Sequence, residues 1–503
     1  MRTLSALFFA VVILLSCSER KRDFVRVGVD VDAGSLDPRL MRDTTAYRVV
    51  NLLYDGLIAL DASSKPTPAL AHRWDHPDDT TWIFHLRDDA RFHNGTPVTA
   101  HDVVYTFETI LDPSLGAPLR SLYTPIAEIE ATDEHTVTFT LSTPYAPLLS
   151  YLELGIVPRG GEATIGSGPY RLLLWDRGAK IVLVAHDDYW GGAPSIRRIE
   201  LLVVPDNTAR AQAFEAGDLD LIQSPLASQD IRRLAEDPRF ESFTSNAPAI
   251  TYLNFNTARA PLDDPALRKA LAMLVDQETI LDGIYEGTDR VASSILLPSS
   301  WAFESDVRQP QHDAEAAAEL LDELGWRDRD GDGFRERDGE PLAIELGTHS
   351  EDLNRVQTVE FLQNAFRKHG IDATIRISDW PSFSVRRDAG DYDIILLGWT
   401  QLVDPDRVSF DQLHTGGGLN WGQYSNRRLD ALLESGRTED DRAKRAEIYR
   451  AAAAIVAVEL PYYVLSYQGY HLFTSARLRD YEADPRGMLR SLARSHLAPA
   501  PRP

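Results

Sequence analysis

Two periods of hydrophobic patterning alternate along this chain, and the switch between them is clearest from Ile165 to Gln223. Residues 170–175 and 181–185 are apolar runs with Asp176, Gly178 and Lys180 in the turn between them, which predicts a β-hairpin. Residues 199–204 follow as a buried-type strand. Asn207 or Thr208 caps a helix that sets Ala209, Ala213 and Phe214 on one face. Gly217 stands where that helix stops, and residues 219–222 form the next strand. A helical crossover this short between two β runs implies parallel strands, and with them an α/β domain.

The same reading extends in both directions. Residues 24–31 alternate as a half-buried strand that ends in the turn chemistry of Ala33-Gly34-Ser35-Leu36-Asp37-Pro38. A smaller unit lies between 66 and 157. In it, 82–87 and 136–141 alternate as strands and Asn94-Gly95 is a turn. Thr99 caps a helix through Ile110 that carries Val103, Val104, Phe107 and Leu111 on one face. Residues 252–257 read as a strand leaving the first lobe. Asp264 then caps a helix with Pro265 at its first position, and Leu267, Ala270, Leu271, Leu274 and Val275 fall at helical spacing. Helices at 313–324 and 354–369 are stopped by Gly325 and Gly370. With strands at 373–377 and 392–397 and helices at 427–434 and 439–458, they make a second α/β lobe. Residues 462–467 are the return crossing. Two lobes joined by at least two crossings put the default ligand site in the cleft between them, beyond the carboxyl ends of the strands.

Composition narrows this picture. A chain of 503 residues has room for two or three domains, and a net charge of −24 argues against nucleic acid as a partner. Arg2 and the apolar run 4–15 form a leader too short to span a bilayer. Leu14-Leu15-Ser16-Cys17 resembles the bacterial lipobox, in which cleavage before the cysteine exposes its thiol to a diacylglycerol. Cys17 is the only cysteine, so no intramolecular disulfide can form. Residues 1–16 are therefore expected to be a signal peptide, 17–23 a tether on a membrane-bound lipid, and 496–503 a disordered tail.

Motifs for catalysis and metal binding are weak. Asp328, Asp330 and Asp332 with Gly333 suggest a calcium loop, but the twelfth position is Gly339 instead of the closing glutamate, and a solvated turn is expected. His85, His93 and His101 lie on different elements without ligand spacing. No G-x-S-x-G, H-E-x-x-H or P-loop occurs.

Several stretches carry a family likeness: Ser35-Leu36-Asp37-Pro38, Leu52-Leu53-Tyr54-Asp55-Gly56-Leu57, residues 87–108, Gly166-Ser167-Gly168-Pro169-Tyr170, residues 188–194, 212–220 and 420–426. In this order they resemble the bacterial extracellular solute-binding proteins, family 5, the peptide- and nickel-type receptors of ABC importers. The resemblance implies an α/β, two-lobed periplasmic-binding-protein-like fold of type II with an extra subdomain in the first lobe, a hinge and an interlobe cleft. Residues 24–47, 165–255 and 470–495 would form lobe I, 48–164 its subdomain, and 256–469 lobe II. It further implies a monomeric, non-enzymatic receptor without cofactor or metal, partnered by permease and ATPase subunits and sited in the periplasm or at the cell surface. Gly398–Asp406 resembles the stretch in which peptide-binding relatives place an aspartate against the ligand's α-ammonium; here Leu402 stands in its place. The ligand contacts implied are Trp399, Thr400, Gln401, Leu402, Asp404, Tyr252, Trp421 and, from the other lobe, Gly34 and Ser35. Asp404, before Pro405, also reads as a helix cap. A surface sensor that kept the fold without transport, or a secreted hydrolase, are the competing readings.

Overall fold

The computed structural model describes residues 22–61, 64–162, 164–400 and 404–498. Cys17, the leader and the site candidates Gln401 and Leu402 lie outside them. Two long strands organise the rest. Phe240–Phe255 and Tyr462–Ser475 run antiparallel, with Phe240 opposite Ser475, Asn254 opposite Tyr462, and a break in register between Asn246 and Ile250. On one side of the break the return strand pairs with Leu221–Gln223. The sheet continues from there through Val25–Val29, Arg198–Val203, Lys180–Ala185 and Tyr170–Asp176. On the other side the outgoing strand pairs with Ile394–Trp399, followed by Ala343–His349 and Asp372–Ser378. One strand path therefore threads both lobes. Burial follows it: Phe240–Phe255 is mostly half-exposed before Ala249 and fully buried from there on.

The βαβ unit is present as predicted. Arg198–Val203 and Leu221–Gln223 flank Val25–Val29, both parallel to it, and the helix Asn207–Glu215 makes the crossover. Its cap is Asp206, which accepts from the Ala209 amide at 2.7 Å, one residue before the expected position. Asn207 is instead the first helical residue and accepts from Arg210 at 2.7 Å. The subdomain is the four-stranded sheet Ala71–Asp78, Thr81–Leu86, Thr136–Leu141 and Ile126–Asp133, covered by the helix Ala100–Leu111. Thr99 and Asp102 form a capping box there, and Phe107 packs edge-on against Phe139 at 5.2 Å. Gly166 lies so close to the end of the helix Thr44–Leu53 that a Cβ would run into the Leu53 carbonyl. His93 clamps this turn, accepting from the Gly166 amide and donating to the Gly168 carbonyl, each at 3.1 Å. Burial holds its pKa down to about 3, as expected of a neutral structural imidazole.

The expected domain limits shift in places. The helix Thr44–Leu53, capped by Asp43, runs unbroken across the 47/48 limit. The first crossing falls at 246–250, before the expected limit at 255, because residues 250–255 already pair with lobe II. His496–Leu497 pairs with Leu478–Arg479, so a disordered tail cannot begin at 496. Among the described residues no helix is long and apolar enough to cross a membrane.

Candidate ligand-binding site

Strand direction places the site. Ala343–His349, Asp372–Ser378 and Ile394–Trp399 are parallel, so His349, Ser378 and Trp399 end on one edge of lobe II. Trp399 lies opposite Ile250, at the break in the long strand. In lobe I the strand Leu221–Gln223 likewise runs toward the crossing, with Gln223 opposite Leu472. Carboxyl ends of strands from both lobes thus converge on the hinge, the place where α/β sheets bind ligands.

At this edge aromatic rings are layered. Tyr252, fully buried, stacks on Tyr462 at 4.5 Å and lies parallel to Trp399 at 6.4 Å, within 5°. Half-exposed Trp399 stacks on Trp421 at 5.3 Å, and the Arg387 guanidinium lies over the Trp421 ring at 3.9 Å. The hydroxyls of Tyr252 and Tyr462 and Trp399 Nε1 are buried without a hydrogen bond of ordinary length among the described residues. Burial raises both phenols well out of their usual range. Tyr252, Trp399 and Trp421 are therefore one assembly, a stack of parallel rings that forms an apolar floor, with a cation over its Trp421 ring. Thr400, next in the chain, is exposed.

A second cation lies beside Gly398. A Cβ on Gly398 would collide with Arg355 Nη2 and stand 2.9 Å from Gln468 Nε2, so only glycine admits both side chains at this strand end. Gln468 donates to the Ile250 carbonyl at 3.2 Å and to Thr251 Oγ1 at 3.1 Å. Arg355 pairs with Asp352 at 3.1 Å and donates to His349 Nε2 at 3.0 Å, while His349 Nδ1 meets Glu351 at 3.0 Å. Burial and the neighbouring guanidinium push the His349 pKa down, so the ring is neutral and relays a hydrogen bond.

Asp404 is placed differently from its expected role as a ligand contact. It is 3% exposed and caps the helix Pro405–Leu413, and its two oxygens accept from Arg445 at 2.8 Å each. Asp406 beside it is paired with Arg437 at 2.9 and 3.2 Å. These carboxylates are consumed by structure, which supports the cap reading. Gly34 and Ser35 sit in the turn after Val25–Val29. The Gly34 amide donates to Asp43 at 2.8 Å, Ser35 Oγ accepts from Asp37, and Arg177 donates to the Ala33 carbonyl at 3.2 Å. No hydrogen bond, ion pair or ring contact joins this turn to the Trp399 floor among the described residues. Tyr424 is buried, with its hydroxyl on Glu459 at 2.6 Å, so it packs instead of lining the cleft.

The lobes touch on both flanks of the hinge. The Ala146 amide of the subdomain donates to the Arg437 carbonyl at 2.8 Å, and Ser228 donates to the Tyr285 carbonyl at 3.2 Å beside an Arg232–Glu286 ion pair. The Asp328–Asp332 turn is exposed, with Asp328 accepting from the Gly331 and Gly333 amides, as a solvated turn does. Motif matching misses Arg355, His349 and Gln468. The rule that strand ends line the site would have found His349, and Arg355 through it.

Two lobes hinged on a pair of shared strands, with an aromatic floor at the converging strand ends, define a solute receptor. The chain belongs to the bacterial extracellular solute-binding proteins, family 5, whose model matches residues 65–421. These are binding proteins and not enzymes. The chain is similar to the nickel-binding periplasmic protein of Escherichia coli (strain K12), 28% identical over 467 residues and covering 88% of this chain and 89% of the relative. It is also similar to the oligopeptide-binding protein AppA of Bacillus subtilis (strain 168), 26% identical over 503 residues and covering 94% and 92%. Among solved structures, NikA from Brucella suis in complex with Fe(III)-EDTA superimposes with a TM-score of 0.86 at 25% identity, covering 94% of this chain and 99% of that one.

Proposed function

We propose that this chain is the solute-binding component of an ABC import system, capturing a small peptide or peptide-like solute between its lobes and presenting it to permease and ATPase subunits. The observation that carries this reading is the Tyr252–Trp399–Trp421 floor at the strand ends beside the two-strand crossing. A ligand bridging that floor and lobe I favours the closed arrangement by contacts it makes only there. The expected ligand contacts are Trp399, Thr400 and Trp421, with Gly34 and Ser35 on the facing lobe. Tyr252 supports the floor from below. Processing before Cys17 and lipidation of its thiol would tether the monomer to the membrane surface, in the periplasm or at the cell exterior.

The test is to purify the chain without its leader, denature it gently and identify the released molecules by mass spectrometry. A calorimetric screen of di- to pentapeptides, N-blocked peptides, opines and metal chelates follows. A released solute, or a screen hit lost on Trp399→Ala, supports the reading. A protein that releases nothing and binds no member of the screen refutes it.

A further inference from the structure

The lobe II helix Arg427–Thr438 ends where the subdomain of lobe I meets it. The last carbonyls of a helix have no partner within it, and partial negative charge collects there. The turn that follows adds Glu439 and Asp440 before Asp441 caps the helix Arg442–Glu459. This turn is held in place, since Glu439 accepts from the Asp441 amide at 2.9 Å. Lobe II thus presents an acidic corner, rich in acceptors, at residues 437–440.

The subdomain answers this corner with donors. The Ala146 amide reaches the Arg437 carbonyl at 2.8 Å. Tyr145 beside it is buried, 5.6 Å from the Arg437 guanidinium, and burial raises its phenol, with Asp406 and Arg437 of lobe II the next influences. From the neighbouring hairpin comes His76. Its ring lies on Trp82, 3.9 Å apart and 13° from parallel, and its Nδ1 stands 4.0 Å from the Asp440 carboxylate. Its Nε2 is buried without a hydrogen bond among the described residues. The charged groups around this ring are Asp78 and Asp79 of its own turn and Glu439, Asp440 and Arg445 across the gap. Arg445 is committed to Asp404, and the others are all negative. Burial holds the Asp440 carboxyl above its usual range, and His76 opposes that shift.

We propose that His76, Tyr145 and Ala146 form, with the lobe II corner at 437–440, a latch that holds the lobes closed, and that a proton on His76 tightens it. This rests on the receptor reading above, which supplies the closing motion. A histidine side chain changes charge between about pH 5 and about pH 8. As a cation, His76 is favoured by the carboxylate it faces and by the helix C-terminus, and both contacts exist only while the subdomain and lobe II meet. The closed arrangement therefore binds the proton more tightly than the open one. Closure strengthens as pH falls through the histidine range, and weakens again only where Asp440 takes up a proton.

The experiment uses the chain without its leader, with Cys17→Ser and with dyes on Leu173→Cys and Val458→Cys, exposed positions on lobe I and lobe II. Single-molecule energy transfer without solute reads the ratio of closed to open molecules, and hydrogen exchange over residues 142–148, corrected for intrinsic rates, reads the Ala146 amide. The same chain carries His76→Gln, which keeps a donor but cannot titrate, or Asp440→Asn at an exposed position that leaves the fold intact. From about pH 8 to about pH 5.5 the closed-to-open ratio of the wild type should rise ~5-fold, with Ala146 protection rising in step. The response should shrink to under ~1.5-fold in His76→Gln and to ~2-fold in Asp440→Asn, where the helix terminus remains. A flat wild type overturns the proposal, as does a full response in either variant, protection at Ala146 that does not follow the ratio, or a single state at every pH. None of these touches the receptor reading, which solute release decides separately.

Discussion

Replacing Arg445 tests whether the Asp404 segment is architecture or ligand site. Asp404 and Arg445 are joined by two 2.8 Å hydrogen bonds with side-chain exposures of 3% and 7%. An exposed pair of this kind contributes about 0–1 kcal/mol. Here the pair is out of water, so Arg445→Met leaves a buried carboxylate without a counter-charge, at a cost of about 3–5 kcal/mol. The same change removes the 2.7 Å bond from Arg445 Nε to the Gly436 carbonyl, about 1 kcal/mol more. Asp404→Asn strands the guanidinium at a similar cost while keeping an oxygen to cap the Asp406 amide. The double variant buries neither charge alone and should recover about 2 kcal/mol relative to the sum of the singles. Urea denaturation at constant m-value measures all of these. The reasoning fails if Arg445→Met costs under about 1 kcal/mol, or if Asp404→Asn leaves stability intact while weakening solute binding more than about tenfold.

Trp399→Ala removes the middle of the stack and should weaken solute binding by about 10- to 100-fold, with Trp421→Ala weaker in effect because one face of the floor remains; unchanged affinity in both would dismiss the floor as packing. Gly398→Ala meets the flexible ends of Arg355 and Gln468 and, at 3.1 Å, the Ile250 backbone carbonyl, so stability should fall by about 1–3 kcal/mol while affinity drops about tenfold as Arg355 is displaced; unchanged affinity would show that Arg355 does not serve the site. Asp289, accepting from Ser466 at 2.6 Å and from the Gly469 amide at 2.9 Å beside Asp352 and Arg355, has its pKa raised to about 6 from 3.8, chiefly by burial. The folded state binds this proton more tightly, so stability should fall by about 2 kcal/mol as pH rises from about 4.5 to about 7.5. Asp289→Asn should lack this component; parallel stability–pH curves for the two proteins would disprove the assignment.

Local features of this fold are legible in the sequence because each is decided within a few residues. The Thr99–Asp102 box and the Asp264–Pro265 start form as written. The cap of Asn207–Glu215 shifts by one residue because Asp206 and Asn207 can both accept, and Arg210 claims the second. The crossing is legible as a strand but not in its position. Residues 240–246 and 250–255 look continuous in sequence, and only their different partners separate the lobes. Trp399 reads as a site residue because it follows a buried strand run directly. Asp404 reads as a contact from its motif, yet its partner is Arg445 on a helix whose sequence gives no sign of the pairing. Arg355 and Arg387 fall into a general class, arginines without local pattern, and long-range packing alone brings them to these strand ends.

Charge then decides which solutes the chamber can keep. In sequence, Leu402 brings no carboxylate to the position where the resemblance expects an ammonium partner, and an enclosed, unpaired ammonium costs several kcal/mol. Arg387 over Trp421 and Arg355 beside Gly398 bring cations to the same strand ends instead. The net charge of −24 repels an anion on approach, but at physiological ionic strength that field decays within about 8 Å, whereas a guanidinium inside a cavity is screened far less. For a carboxylate solute, association should therefore quicken as salt is raised, while dissociation responds to Arg387→Gln and little to salt. Stopped-flow tryptophan fluorescence, with Trp399 and Trp421 as reporters, separates the two rates. An association rate that falls with salt would mean that the acidic surface attracts a cationic solute, and the charge assignment of the chamber would have to be reversed.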